Sequence, residues 1–174
     1  MTSLLSLTRT GSGEPLLLLH GMGSSRRDFT AVADLLAERF DVLNVDLPGV
    51  GRSPALARRP TVAALTDAVE QTLDAAGAGQ VHVLGNSLGA RVALELAVRG
   101  RALSVVAIAP SGLNVPPERV SQGAGMALAR VVTRTTEPLI EPLSRSRVGR
   151  TTLLAPLKAR AWSTSPAEAI GMGE

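Results

Sequence analysis

Short apolar runs in the first two thirds of the chain constrain its fold more than any other feature. They cover residues 15–20, 41–46, 80–85 and 102–110, and each lies between Gly, Pro or Asp residues. Continuous apolarity over this length is typical of a strand buried on both faces, as in a parallel sheet that is covered by helices. The sequence therefore predicts a strand at each of these runs, in the interior of a parallel sheet.

Stretches with helical periodicity lie between these runs, at residues 28–38, 61–76 and 87–99. Strands that alternate with helices predict an open, mostly parallel, doubly wound α/β sheet, with a further edge strand at residues 3–9. The expected apolar faces are Phe29, Val32, Leu35 and Leu36 in the first helix, Val62, Leu65, Val69 and Leu73 in the second, and Leu88, Val92 and Leu96 in the third.

The pattern changes after Pro110. No later run reads as a strand, several residues between Val120 and Val132 have helical spacing, and prolines divide the remainder of the chain into short pieces. The charge also changes: residues 1–87 carry 7 basic and 9 acidic groups, whereas residues 88–174 carry 11 and 6. We therefore expect residues 1–112 to form the α/β part and residues 113–174 a separate helical segment.

The segment from Gly85 to Gly89 reads Gly-Asn-Ser-Leu-Gly and joins a predicted strand to a predicted helix. A serine in such a tight turn has a strained backbone, and glycines two residues before and after it relieve the crowding. The turn places Ser87 at the carboxyl ends of the strands, where open α/β sheets bind ligands. Alone the pattern is a weak signal, since a serine that caps a helix in an ordinary glycine-bounded turn gives the same letters.

Two further motifs strengthen this interpretation. His20-Gly21-Met22-Gly23 follows the first strong strand, and the Met22 amide of this glycine-rich loop and the Leu88 amide are candidates for a two-donor oxyanion hole. Asp46-Leu-Pro-Gly-Val-Gly-Arg-Ser53 follows the next strand. This motif is not a dinucleotide fingerprint, because the third glycine is missing and no acidic residue stands at the required distance.

The three motifs, in this order and at these gaps, resemble the α/β-hydrolase superfamily, in particular its small serine esterases and carbon–carbon-bond hydrolases. The resemblance covers roughly residues 4–112 and implies an acyl-serine mechanism on a small ester-type substrate or an activated carbon–carbon bond, with no cofactor and no metal. It implies that residues 113–174 form most of a helical cap. Carried over by motif position, Ser87 is the nucleophile, Met22 and Leu88 supply the oxyanion-hole amides, and His20, Gly21, Gly23, Gly85 and Gly89 support the loops.

The family's order is nucleophile, acid, histidine, but no aspartate and no histidine comes after Ser87. His82 lies within a strand, below the turn, and is expected to be a core or strand-end residue. His20 borders the site but lacks an orienting acid and is not expected to be the base. We therefore interpret the chain as the N-terminal part of a hydrolase that ends inside the cap, lacks turnover when alone and tends to aggregate at an open sheet edge.

The alternative, which the missing base also fits, is a non-catalytic binding or signalling protein of the same fold.

The amino-acid composition excludes or disfavours several other classes of protein. The chain has 0 cysteines and 2 histidines, which excludes thiol chemistry and makes a metal site improbable. A net charge of +3 and 2% aromatic residues disfavour nucleic-acid binding. The basic residues from Arg119 to Arg160 are expected to form a solvated face of the cap, with binding to an acidic surface as the alternative. No apolar run reaches membrane-spanning length and no signal segment is visible, so a cytoplasmic protein is expected.

Overall fold

The computed structural model describes residues 4–57, 59–113 and 145–154. Five strands form one sheet: β1 (Leu7–Thr10), β2 (Glu14–Leu19), β3 (Phe40–Val45), β4 (Val81–Asn86) and β5 (Ala102–Ile108). Their order is β1-β3-β2-β4-β5, with β1 antiparallel to β3 and all other pairs parallel. The open, mostly parallel sheet expected from the apolar runs is confirmed, although the edge strand begins and ends later than residues 3–9.

Helices lie on both faces of this sheet. A 3-10 turn (Arg26–Phe29) leads into α1 (Thr30–Ala37), and α2 (Val62–Ala75) and α3 (Leu88–Val98) precede β4 and β5. The side chain of Thr61 accepts a hydrogen bond from the Ala64 amide at 3.1 Å, which fixes the start of α2. A glycine in the left-handed region comes after α2 at Gly77 (φ +70°) and after α3 at Gly100 (φ +72°), where a helix ends most readily.

The larger core lies between the sheet and the pair α2 and α3. Alternate residues of β2, β3 and β4 face this side, and the buried set comprises Leu17, Leu19, Leu43, Val45, Val81 and Val83 from the strands with Leu65, Val69, Leu73, Val92 and Leu96 from the helices. Arg99 joins the two helices through carboxylates of Asp67 and Glu70, at 2.9 and 2.7 Å, and of Glu95 at 3.2 Å. These hydrogen bonds raise the pKa of Arg99.

The smaller core lies under α1 and corrects one expectation. Val32 and Leu35, predicted to face the sheet, are 40% and 66% exposed, whereas Ala33 is buried. The buried stripe comprises Phe29, Ala33 and the half-buried Leu36 and Ala37, packed on Leu16, Leu18 and Val42. The large leucine and valine side chains of the strands fill the space beneath the helix, so small alanine side chains face them.

The two edges of the sheet differ in character. At the β1 edge, Arg9 forms an ion pair with Asp41 at 2.6 Å. On β5 the apolar side chains of Leu103, Val106 and Ile108 are exposed, and residues 102–108 contain no charge and no proline.

The chain divides into two units, residues 1–113 and 114–174. In the second unit the structure describes the helix α4 (Arg147–Leu154). The helical spacing noted between Val120 and Val132, and most of the expected cap, lie outside the described residues. Within the described ranges, no helix is long and apolar enough to cross a membrane.

Candidate active site

Ser87 lies in the sharp turn between β4 and α3. Its backbone angles are φ 51° and ψ −107°, in a region that side-chain-bearing residues rarely occupy. The residue is half-buried, and its side chain makes no capping hydrogen bond to α3. The local geometry therefore differs from that of an ordinary capping serine, whose backbone is extended and whose hydroxyl accepts a bond from the first helical turn.

The strained turn is held by backbone bonds from both sides. The Ser87 amide donates to the carbonyl of Ile108 at 2.9 Å, and the Ser87 carbonyl accepts from the amides of Ser111 at 3.1 Å and Arg91 at 3.2 Å. A strained conformation persists only where its surroundings over-determine it. Here the carboxyl end of β5 and the first turn of α3 fix the serine together.

The two glycines of the Ser87 motif are required by close backbone approach. A Cβ on Gly85 would lie 2.5 Å from the Gly89 carbonyl oxygen and 2.6 Å from the Ala90 nitrogen. A Cβ on Gly89 would lie 2.1 Å from the Leu19 carbonyl oxygen. Any larger residue at either position would push α3 away from β4 and β2. Close packing at this turn therefore explains why both positions are glycine.

The glycine-rich loop after β2 lies directly against the turn. A Cβ on Gly21 would be 3.3 Å from the Ser87 Cβ and 3.6 Å from the amide nitrogen of the Asn86 side chain. Gly23 adopts φ +74°, which permits the tight reversal, and the Met22 side chain between them is 61% exposed. The structure thus brings the predicted loop and the predicted serine together at the carboxyl edge of the sheet.

His20 is buried beneath this loop and both of its ring nitrogens are engaged. Its Nε2 accepts from the Leu47 amide at 2.9 Å, so Nδ1 carries the proton and donates to the Gly21 carbonyl at 2.8 Å. The imidazole therefore joins the glycine-rich loop to the loop after β3. With both nitrogens used in this way, His20 offers no free lone pair to the Ser87 hydroxyl.

The Asp46–Ser53 motif also holds backbone in place. An Asp46 carboxylate oxygen accepts from the Arg26 amide at 2.9 Å, and the other lies 3.4 Å from the Arg26 guanidinium. A Cβ on Gly51 would be 2.5 Å from that carboxylate, and the Ser53 hydroxyl donates to the Asp46 carbonyl at 2.6 Å. The sequence did not reveal this structural role of Asp46, because its partner Arg26 lies 20 residues away in the chain.

His82 lies near the amino end of β4, whereas Ser87 lies just past the carboxyl end. The Nδ1 atom of His82 is 2.8 Å from the Ser104 hydroxyl and its Nε2 is 3.3 Å from a Glu14 carboxylate oxygen. His82 is half-buried, with polar partners on two neighbouring strands. Neither histidine of the chain therefore reaches Ser87. In the part of the chain that the structure describes, no group of three or more His, Cys, Asp or Glu side chains could hold a metal ion.

An open parallel sheet with a strained serine between strand and helix at its carboxyl edge defines an α/β protein of the hydrolase type. The model of the Alpha/beta hydrolase family matches residues 16–172, and the chain belongs to that family.

Among curated relatives, a pimeloyl-[acyl-carrier protein] methyl ester esterase of Chromobacterium violaceum is 40% identical over 104 residues, which cover 58% of this chain and 39% of that protein. A dihydrolipoyllysine-residue acetyltransferase component of the acetoin cleaving system of Cupriavidus necator is 36% identical over 106 residues, 60% of this chain and 28% of that protein. The chain thus spans less than half the length of these relatives.

A solved structure of a hydrolase from Pseudomonas aeruginosa matches with a TM-score of 0.65 and 22% identity, over 97% of this chain and 66% of that one. At this level of identity the match shows the fold alone.

Proposed function

We propose that the chain carries the nucleophile and the oxyanion site of a serine hydrolase that acts on ester-type bonds of small molecules. The observation that carries the proposal is the backbone of Ser87, held at φ 51° between β4 and α3 with the glycine-rich loop packed against it. A strained, over-determined serine at a ligand-binding sheet edge is typical of a nucleophile turn.

In this mechanism the Ser87 oxygen attacks the carbonyl carbon, and the amides of Met22 and Leu88 stabilise the charge that develops on the carbonyl oxygen. Leu88 is the first residue of α3. The amide of a first helical residue has no acceptor within its helix, and the positive end of the helix dipole lies beside it. The leaving group then departs, and water hydrolyses the acyl-serine to regenerate Ser87.

A base must take the serine proton, and neither histidine is available for that step. His20 uses Nε2 and Nδ1 to join two loops, and His82 lies toward the other end of β4. The base and its orienting acid therefore come from outside the described residues. Residues 1–174 alone are expected to show no Ser87-dependent turnover, since a serine hydroxyl without a base is a poor nucleophile.

The substrate class is inferred from the reaction and from the names of relatives. The methyl ester esterase of C. violaceum is a hydrolase of an ester, and a relative from Acinetobacter baylyi, 28% identical over 88 residues, is a succinate-derivative hydrolase. An ester or a related activated carbonyl is the shared chemistry, and activated carbon–carbon bonds fit the same acyl-serine step. No cofactor or metal enters it.

A second candidate function is non-catalytic binding at the same site. The missing base fits it as well, because neither His20 nor His82 reaches the Ser87 hydroxyl. In that case the turn and the glycine-rich loop would hold a ligand without covalent chemistry.

One experiment distinguishes the serine hydrolase from the non-catalytic binding protein by supplying the missing base from solution. The chain is treated with a fluorophosphonate at increasing imidazole concentrations, and the peptide that contains Ser87 is monitored by mass spectrometry. We expect labelling of Ser87 to rise with imidazole, because free imidazole can accept the serine proton. Ser87→Ala is the matched control and should lose this label while labelling elsewhere is unchanged.

Absence of label on Ser87 at every imidazole concentration would contradict the proposal and favour the binding protein. Turnover of p-nitrophenyl esters without imidazole, abolished by Ser87→Ala, would support Ser87 as the nucleophile but contradict the expectation that the base comes from outside the described residues.

A further inference from the structure

A serine, an imidazole and a carboxylate form a row on one face of the sheet, away from Ser87. In the parallel register, Leu16 of β2 pairs with His82 of β4, and His82 pairs with Ser104 of β5. Glu14 precedes Leu16 by two residues and projects from the same face, since side chains alternate along a strand. The row thus crosses three neighbouring strands. His82 lies five residues before Ser87, about 16 Å along the strand at roughly 3.3 Å per residue.

The hydrogen bonds in this row assign a role to each group. A carboxylate can only accept, so the 3.3 Å contact with Glu14 places the proton of a neutral His82 on Nε2. The lone pair of Nδ1 then faces the Ser104 hydroxyl at 2.8 Å. An edge-to-face contact with the Phe40 ring, at a centroid distance of 5.8 Å and an angle of 71°, further fixes the imidazole plane. A hydroxyl within hydrogen-bond distance of a base that is oriented by a third group is the arrangement that activates a serine.

The row is open to solvent and lies beside apolar side chains. Ser104 is exposed. Further along the same face, Val106 and Ile108 are 55% and 48% exposed and Leu84 is half-buried. These three side chains offer an apolar surface against which an acyl chain or an aromatic leaving group can lie.

We propose that Ser104 is a second acyl-acceptor site, which takes acyl groups from small activated esters. The Ser104 oxygen attacks the ester carbonyl carbon, its proton passes to His82 Nδ1, and the bond to the leaving oxygen breaks. His82 returns the proton to that oxygen, so the products are acyl-Ser104 and a free alcohol or phenol. His82 acts as the base, and Glu14 is a positioning residue that holds its tautomer. The site is independent of Ser87.

The test removes the first serine and maps the second. Ser87→Ala protein is treated with p-nitrophenyl acetate, and peptide mass spectrometry measures the acetyl group on each serine with time. Ser12, an exposed serine in the turn between β1 and β2, is the control within the same molecule. General-base assistance is expected to acetylate Ser104 at least about tenfold faster than Ser12.

Substitutions of His82 and Glu14 test the role of each residue in the acetylation of Ser104. His82→Gln should slow acetylation of Ser104 by about tenfold or more while Ser12 is unaffected. Glu14→Gln should slow it less, and Glu14→Asp should restore part of the rate, which a merely structural role for the carboxylate would not produce. Equal acetylation of Ser104 and Ser12 would overturn the proposal, as would an unchanged Ser104 rate in folded His82→Gln protein. The comparison of Ser104 with Ser12 is made within the Ser87→Ala protein, so it still tests the proposal if the His82 or Glu14 variant fails to fold.

Discussion

The two ends of strand β4 each carry a serine and a histidine nearby, but they are built by different means. At the carboxyl end, Ser87 is fixed by backbone, with glycine positions where a Cβ would lie 2.1–2.6 Å from neighbouring main chain. At the amino end, His82 and Ser104 are fixed by side-chain hydrogen bonds on an open sheet face. One end holds a strained serine that neither histidine reaches, and the other holds a serine within hydrogen-bond distance of a histidine.

This difference shows that the backbone geometry of a serine and its hydrogen bond to a histidine are set separately in this fold. Close backbone approach sets the geometry at Ser87 and tolerates almost no change. Side-chain hydrogen bonds hold the half-buried His82 beside Ser104, and these side chains can be changed without moving the main chain. The carboxyl end should therefore be far more sensitive to substitution in its effect on stability.

The largest effect is expected for Gly89→Ala, which would place a Cβ 2.1 Å from the Leu19 carbonyl oxygen. The backbone must move to relieve this overlap, at a cost on the order of 4 kcal/mol or more in unfolding free energy. Urea denaturation monitored by circular dichroism measures it. Gly79→Ala is the matched control, since a Cβ there meets nothing within 4 Å, and should change stability by less than about 0.5 kcal/mol. Similar values for the two variants would contradict this account.

His20→Ala should cost somewhat less, about 3 kcal/mol, because it removes a fully buried side chain and leaves the Leu47 amide without its acceptor. The same denaturation measurement applies. Hydrogen exchange provides a second readout, and the Leu47 amide should exchange faster in the variant. A stable variant with unchanged exchange would show that the loops hold each other without the imidazole.

Ser87→Gly should stabilise the chain by about 1 kcal/mol, because glycine adopts φ 51° without the strain that a Cβ imposes. Ser87→Ala keeps the Cβ and should leave stability within about 0.5 kcal/mol of the parent. Because glycine also loses more conformational entropy on folding than alanine, the difference between the two variants is a lower bound on the strain stored in the turn. A Ser87→Gly variant less stable than Ser87→Ala would contradict a strained turn.

The smallest effect is expected at the amino end. Ser104→Ala removes one exposed hydroxyl and its hydrogen bond to His82, and should change stability by less than about 0.5 kcal/mol. Thermal or urea unfolding beside the parent chain measures it. A loss as large as that of His20→Ala would erase the contrast between the two ends of the strand.

The elements of the fold were predictable because buried parallel strands and amphipathic helices leave strong periodic patterns. The predicted strands at residues 15–20, 41–46 and 80–85 lie within one residue of β2, β3 and β4. The face of α1 was not predictable. Its buried stripe depends on which side chains of β2 and β3 lie beneath it, and pairing between distant strands is invisible to local spacing.

The candidate site was predictable where backbone crowding selects glycine. Gly85 and Gly89 could be recognised in the sequence because a Cβ at either position would overlap neighbouring main chain, and a Cβ at Gly21 would make a tight 3.3 Å contact with the Ser87 Cβ. Contacts between distant side chains were not visible. The bond from the Arg26 amide to Asp46 and the row of Glu14, His82 and Ser104 depend on strand order and register, which the motifs do not encode. His82 lies near the amino end of β4, as expected of a strand-end residue, but its polar partners Ser104 and Glu14 were not visible in the sequence.

The uncharged outer edge of β5 has a practical consequence for anyone who handles this chain. A register shift beside Leu103 interrupts the first part of this strand, but residues 104–108 contain no lysine and no proline, and strand edges of that kind act as templates for further strands. Two such edges that meet in solution can pair, which joins the sheets edge to edge. Because two chains must meet, the rate at which monomer is lost should rise with the square of the protein concentration. Dilution, or a lysine in place of Val106, would be the first remedy to try at the bench.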